Sequence, residues 1–325
     1  MGKIVSLGEI MLRLTSPDKN MIGSTSCFEA CYGGSESNVL VGLASLGNST
    51  EYLSAVPEND LGKGVLKHLR SYNVGTQNII CKGDTLGLYF LEEGCGERSA
   101  KVIYHRKHSE VTRLTEADYD YDQVFNECSL FHICGISFGL SESLTALCFR
   151  LLKEAKKRNI PVSFDFNYRA KLWSIEAAAK VYKEVVKDVD ILFGSQRDLT
   201  TFLGLTDREF HASYPGKYLI LREREVGQNG KHTVFIRALY REAKDIKEVT
   251  LEPKEFTVFE RIGSGDAFVA GVLHRLMKDT QDVKTALEYG RACFILKHSI
   301  RGDVFTLDED TVKSYMKDLS KDVSR

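Results

Sequence analysis

The sequence predicts an α/β fold: a mostly parallel central sheet with helices on both faces, plus a small β-sheet lid. Two observations carry that expectation. Short apolar runs such as "LFHICGI", "IPVSFDFN" and "DILFGS" alternate with helical patterns, the rhythm of βαβ units. Those runs are short and nearly continuous, which suits central strands buried on both faces. Residues 10–33 and 86–106 break the rhythm, since both read as strands and turns with no helix between them. No repeat, low-complexity tract or Pro/Gly-rich linker divides the chain. The expectation is therefore one domain over residues 1–325, with the lid drawn from about 10–33 and 86–106.

In chain order, "KIVSLGEIMLRL" reads as a pair of strands and "SNVLVGLASLG" as a helix ended by Gly47. "LGLYFLEEGCGERSAKVIYHR" is hairpin-like, alternating through "LYFLE" and "KVIYHR" around a Gly-rich turn. The buried strand "LFHICGI" leads into a helix through "SESLTALCFRLLKEAKKRN". "IPVSFDFN", "SIEAAAKVYKEVVKDV" and "DILFGS" follow as strand, helix and strand. Near the C-terminal end, "AFVAGVLHRLM" has the apolar spacing of a helix beginning at Ala267.

Composition excludes several function classes. Lys plus Arg is 44 against 45 for Asp plus Glu, a net charge of −1, so there is no general basic field for nucleic acid or an anionic membrane. The eight cysteines contain no CxxC pair and several lie in apolar runs, where a thiol acts as a small core residue. "MGKIVSLGEIML" lacks the features of a signal peptide, and no apolar run approaches the ~20 residues of a membrane span. The cytoplasm is the expected location.

The chemistry centres on "ERIGSGDAFVAG", Glu260 to Gly271. The GxxxxGK[ST] phosphate loop occurs nowhere, and GxGxxG fails because Phe268 stands at its third glycine. The loop also lies near the C-terminus, whereas a dinucleotide fingerprint follows the first strand of its unit. The local physics still points to an anion site. Gly263 and Gly265 let a ligand approach the main chain, and the amides of Gly263, Ser264 and Gly265 lie at the start of the predicted helix. Asp266 beside them can take a proton from a hydroxyl. On this loop alone a second reading stands level, in which Asp266 is an N-cap after a glycine turn.

Other clusters bear on the choice. "GGSESN" puts a glycine pair and Asn38 at a helix start. "DFNYR" places Asp165, Asn167 and Arg169 at the end of a predicted parallel strand, the edge at which open α/β sheets bind ligands. "YHR" puts Tyr104 and Arg106 on one face of a lid strand, and "KHSIRGD" ends in Asp303. Each of these taken singly also reads as an ordinary polar loop or a solvated edge.

Together the motifs resemble the PfkB (ribokinase-like) carbohydrate kinases, and within them the 2-keto-3-deoxygluconate kinases. The likeness spans essentially the whole chain. "GEIMLRL" is similar to that group's opening, "YGGSESNVLVGLASLG" to its first glycine motif and "ERIGSGDAFVAG" to its C-terminal signature. "LKHSIRGD" resembles the group's Leu-Lys-His-Thr-Ile-Pro-Gly-Asp. The resemblance implies a ribokinase-like fold and ATP-dependent phosphorylation of a sugar acid at its terminal hydroxyl, with Mg²⁺. It implies Asp266 as general base and the amides of Gly263, Ser264 and Gly265 as the anion hole. Gly34 and Asn38 would touch the sugar acid, and Tyr89, Tyr104, Arg106, Arg169 and Asp303 would line its pocket. Asn167, Ser195 and Arg222 fall to the nucleotide and Asp198 to the metal. Pairing of lids between subunits implies a homodimer.

An acidic substrate also has a physical argument: a carboxylate is best held by guanidinium groups, and Arg106 and Arg169 can supply them if they converge. The chain departs from the pattern in three places. Glu260 stands for the usual Asp, "SQRD" (Ser195 to Asp198) stands for Asn-x-x-Glu, and "LILREREVGQNGKHTVF" stands for Lys-x-Gly-x-x-Gly. Two other functions are therefore carried: another sugar kinase of the family, for fructose, ribose or a nucleoside, or a catalytically weak sugar-binding regulator of the same fold.

Overall fold

The computed structural model describes residues 2–214, 217–227, 230–242 and 245–317. Its fourteen described strands are β1 (Lys3–Leu7), β2 (Met11–Thr15), β3 (Glu29–Gly33), β4 (Thr50–Val56), β5 (Val74–Gly75), β6 (Ile79–Cys81) and β7 (Leu88–Glu92). They continue with β8 (Lys101–His105), β9 (Cys128–Cys134), β10 (Val162–Asp165), β11 (Ile191–Gly194), β12 (Tyr218–Val226), β13 (His232–Glu242) and β14 (Asp245–Phe256).

The central sheet runs β14-β13-β12-β11-β10-β9-β1-β4-β5, with β6 also paired to β4. From β12 to β6 every pairing is parallel, as expected. Alternation along each strand feeds two cores. Ile4, Ile191, Phe193 and Ile220 pack to one side with helices Ser35–Ser45, Asp60–Ser71, Ser264–Leu276 and Val283–Lys297. Val5, Leu7, Phe164, Leu192 and Leu219 pack to the other with helices Glu142–Lys157 and Ile175–Val185. A fully buried side chain of this size contributes about 1.5–3 kcal/mol, so each strand is anchored on both faces.

Chain order reverses at the middle of this sheet. Successive strands from β9 move outward one way through β10 to β12, and those from β1 move the other way through β4 to β5. The carboxyl ends of strands flanking such a switch point form a crevice.

A separate four-stranded sheet, ordered β3-β2-β7-β8, is built from the two stretches that broke the βα rhythm. The expected pair in "KIVSLGEIMLRL" is two strands in two different sheets, because β1 joins the central sheet and β2 the small one. One region departs from expectation. β12, β13 and β14 form a long antiparallel meander at the edge of the sheet, where no strands were foreseen. Residues 228–229 within "LILREREVGQNGKHTVF" lie outside the described residues.

Candidate active site

A cavity of about 1380 Å³ opens along the carboxyl ends of β1, β10 and β11, beside β12 and against the small sheet. Sites for one small ligand are usually about 300–1000 Å³, so this space suits two ligands together. Every residue singled out from the sequence as a site residue lines it.

The glycine loop comes first. The helix begins at Ser264, one turn earlier than its apolar spacing suggested, with Gly263 as N-cap at φ 76°. Ala267 N–H bonds to the Gly263 carbonyl at 2.9 Å, and Ser264 N–H lies 3.5 Å from the Arg261 carbonyl. Among the described residues, the amides of Gly263, Gly265 and Asp266 have no acceptor. Unpaired first-turn amides at a helix N-terminus form a site for negative charge. Glu260 holds the preceding turn, accepting hydrogen bonds from Arg261 N–H at 2.9 Å and Ile262 N–H at 3.2 Å.

Asp266 is not a helix cap. It stands at the third helical position, and its carboxylate turns away from its own helix to another part of the chain. Its Oδ1 accepts from the Ser35 hydroxyl at 2.9 Å, and its Oδ2 accepts from the Asn38 amide at 2.7 Å. The Asn167 amide donates to the Ser35 hydroxyl at 2.6 Å, and Gly34 N–H donates to Asn38 Oδ1 at 3.3 Å. "GGSESN" and "DFNYR" thus meet "GSGD" through one hydrogen-bond chain. Burial pushes the Asp266 carboxyl above the ordinary range, while the bonds from Asn38 and Ser35 and the charge of Arg169 oppose it. A base raised from below is better matched to accept a proton near neutrality.

Asp165 closes the same end of the cavity. Burial, with the charges of Asp266 and Asp198 adding to it and Arg222 opposing, pushes its carboxyl up to about 7. Ser195 and Asp198 form a capping box: Asp198 Oδ2 accepts from the Ser195 hydroxyl at 2.7 Å and its amide at 2.9 Å. The Asn and Glu that the resemblance leads one to expect here are replaced by a pair that binds itself, leaving Asp198 Oδ1 as its remaining acceptor.

The opposite end is built around Asp303, which is buried. It accepts from the Tyr89 hydroxyl and forms a 3.0 Å ion pair with Arg13 on β2. Arg13 also reaches Glu260 at 3.6 Å. Arg106 is buried against Glu9, which also accepts from the Ser109 hydroxyl. Tyr104 lies beneath Arg106, whose guanidinium carbon is 5.5 Å from the ring centroid. Arg169 lies on the rim and is exposed. Sequence reasoning missed Glu9, Arg13 and Ser35 as parts of the site. The signal for Arg13 was present, since alternation in "MLRLT" puts a cation on the face opposite Leu12 and Leu14.

The family model for pfkB family carbohydrate kinases matches residues 1–299. The chain belongs to that family. It is a carbohydrate kinase, and kinases of the PfkB family use ATP. A relative, the 2-dehydro-3-deoxygalactonokinase of Haloferax volcanii, is 30% identical over 324 residues, covering 97% of each chain. The crystal structure of 2-dehydro-3-deoxygluconokinase from Thermotoga maritima superposes with a TM-score of 0.91 at 30% identity, covering 98% of this chain and 100% of that one. A putative ribokinase II from E. coli, solved in complex with ATP and Mg²⁺, has the same fold at 19% identity with a TM-score of 0.81, covering 98% and 99%. As a PfkB kinase, the chain is served by a cavity with room for both a sugar and a nucleotide. Among the described residues no helix is long and apolar enough to cross a membrane.

Proposed function

We propose that this PfkB kinase transfers the γ-phosphoryl group of ATP to the terminal hydroxyl of a keto-deoxy sugar acid, 2-keto-3-deoxygluconate being the preferred acceptor. The carrying observation is a partly buried carboxylate, Asp266, held by Ser35 and Asn38 beside acceptor-free amides at the head of the helix Ser264–Leu276. Asp266 takes the hydroxyl proton as the sugar oxygen attacks phosphorus, and Ser35 and Asn38 hold it on line. The amides of the Gly263–Asp266 turn receive the negative charge that gathers on the phosphoryl oxygens, with Ser264 sharing its amide with Arg261. Gly34, Tyr89, Tyr104 and Asp303 shape the sugar end. Arg106 and Arg169 line the same cavity, and guanidinium groups suit a carboxylate better than a neutral sugar. Glu9 already neutralises much of Arg106, so the exposed Arg169 supplies the uncompensated charge. The substrates named for the Haloferax and Thermotoga proteins support the same class.

Among the described residues no group of three or more His, Cys, Asp or Glu side chains could hold a metal unaided. That fits Mg²⁺, which uses one or two carboxylates together with waters and substrate phosphates. Asp198 is the side chain that would hold it, with Ser195 fixing its rotamer, and the ion would neutralise charge between the phosphates. Asn167 and Arg222 complete the nucleotide side. We place the enzyme in the cytoplasm, where its nucleotide is made.

The test is ADP release with Mg·ATP across 2-keto-3-deoxygluconate, its galactonate epimer, fructose and ribose. Turnover confined to the keto-deoxy acids supports the reading. Turnover only on a neutral sugar keeps the kinase and overturns the acid pocket. Ligand binding without turnover on any of them makes the chain a regulator.

A further inference from the structure

Arg222 sits just past the last paired residue of β11 and β12, where Gly194 faces Leu221. Its guanidinium carbon lies 4.7 Å from the Phe294 ring centroid and 5.5 Å from that of Phe268. Phe268 follows Asp266 on the helix headed by the glycine loop. A Cβ placed on Gly265 would stand 3.2 Å from Arg222 Nη2. The guanidinium therefore borders the very amides that lack acceptors. Asp165, Asp266, Glu223 and Asp198 act on it through space, yet none of them forms an ion pair with it among the described residues, and Glu223 accepts instead from Gln196 N–H. Asp266 is occupied by Ser35 and Asn38, and Asp198 by Ser195.

Arg222 is partly buried on the cavity wall and has no carboxylate paired to it among the described residues, so its charge is left for an anion that enters the cavity. Guanidinium does not lose its proton in proteins, so burial cannot neutralise it. Two aromatic faces fix its plane but satisfy none of its N–H donors. Donors aimed beforehand at a place where charge develops stabilise a transition state without reorganising. Gly265 and Asp266, whose amides are unpaired, and the Asp266 carboxylate line the same cavity as Arg222.

We propose, on the kinase reading above, that Arg222 is a catalytic residue: it donates hydrogen bonds to the non-bridging oxygens of the phosphoryl group during transfer. In that step the bond from the γ-phosphorus to its bridging oxygen breaks, and ADP leaves with the electron pair. The bond from the sugar hydroxyl oxygen to phosphorus forms, and the hydroxyl proton passes to Asp266. Arg222 neither gains nor loses a proton. Charge spreads over the three equatorial oxygens in such a transition state, so a planar fork beside Gly265 binds it more tightly than it binds ATP. The alternating pattern in "REREV" is the sequence counterpart: Arg222 and Arg224 line the cavity, while Glu223 and Glu225 are exposed.

The experiment compares wild type with Arg222→Met, which keeps the stem that rests on the rings, and with Arg222→Lys. Steady-state kcat and KM for ATP are measured on whichever acceptor the wild type uses, with ADP affinity and ADP–aluminium fluoride affinity measured without sugar. Melting temperatures establish that each variant folds. Arginines acting on transferred phosphoryl groups are worth ~10³–10⁵ in kcat, and a loss of at least ~10³ is expected for Arg222→Met. ADP affinity should change by less than about tenfold, aluminium fluoride should no longer tighten it, and Arg222→Lys should recover part of kcat. A kcat within about threefold of wild type overturns the proposal, as does a loss confined to KM for ATP, which would make Arg222 a nucleotide anchor. Wild-type turnover on a neutral sugar alone removes the acid reading and leaves this comparison intact. A wild type that neither turns over any sugar nor binds ADP–aluminium fluoride more tightly than ADP overturns both.

Discussion

Gly263→Ala is the sharpest perturbation the site offers. The residue has φ 76°, where an alanine is disfavoured by about 1–2 kcal/mol. A Cβ there would also lie 1.7 Å from the Asp303 carbonyl oxygen and 2.8 Å from its carbon. Ordinary contact begins near 3.4 Å, so the two segments must part by 3.4 − 1.7, or about 1.7 Å. The obstacle is backbone and cannot rotate aside. Either the glycine turn or the chain at residue 303 shifts, and a misplacement of ~1 Å at reacting groups costs ~10²-fold in rate. Forcing atoms into packed space adds about 1–3 kcal/mol of destabilisation.

Gly265→Ala is the control, because its Cβ would meet only the end of the Arg222 side chain, at 3.2 Å. Gly265 lies inside the helix, where alanine is favoured by roughly 0.5–1 kcal/mol. Thermal melts and kcat for both variants separate the effects. Gly263→Ala should melt lower and lose at least ~10² in kcat, whereas Gly265→Ala should melt at or above wild type. A folded Gly263→Ala enzyme with wild-type kcat would refute the claim that the amides of this turn must stay where they are.

The other expectations concern single groups. Asp266→Asn should lower kcat by ~10²–10⁴ while ligand affinity, read by calorimetry, stays near wild type, and a fully active variant removes its role as base. Arg106→Ala should raise KM for the sugar acid and leave Glu9 buried without its cation; unchanged KM and kcat count against it. Asp165 carries a carboxyl raised to about 7 from 3.8, so the fold favours its protonated form. Stability from this group is full below pH ~4 and is lost as pH rises through 7, by at most about 4 kcal/mol before discounting its opening on the cavity. Asp165→Asn should thus raise the melting temperature at pH 8, with the gain fading toward pH 4; a gain independent of pH would refute the titration. We propose that the outer face of the small sheet, where Phe28 is half-exposed against Phe90 and Ile103 is exposed, pairs with a second copy. Light scattering should then give twice the chain mass, and Ile103→Lys should give the monomer; a wild-type monomer at micromolar concentration removes the idea.

Much of the architecture was legible because burial on both faces leaves an unmistakable pattern: "LFHICGI" and "DILFGS" have no other use than central strands. The meander β12 to β14 was not legible for the opposite reason. It lies at the sheet edge with one face in solvent, so "LYREAKDIKEV" carries the charge density of an exposed helix. The start of the helix at Ser264 was obscured because its first turn is Ser-Gly-Asp, which has loop composition, and only the position of the Asp266 carboxylate tells a cap from a free group. Local spacing found which residues lie near strand ends. It could not show that Ser35 and Asn167 are spent on holding Asp266, nor that Glu9 claims Arg106, since these pairs lie far apart in the chain.

Asp303 explains why the two glycine motifs belong to one site. Its carboxylate fills the place that a side chain on Gly33 would occupy, 1.9 Å from that Cβ position, and its carbonyl fills the corresponding place over Gly263. The first motif therefore meets the side chain of Asp303, on the proposed reading the sugar end, and the second meets its main chain, on that reading the phosphoryl end. Arg13 reinforces the link, pairing with Asp303 at 3.0 Å and Glu260 at 3.6 Å, while Glu260 holds the amides just ahead of Gly263. Both acids are largely buried, so removing Arg13 takes the ion-pair partner from both at once and leaves Lys297 acting on them through space. A strand of the small sheet thus sets the sugar wall and the anion loop together. Displacing Asp303 must move Gly263 as well, so the sugar and phosphoryl ends of this cavity cannot relax independently.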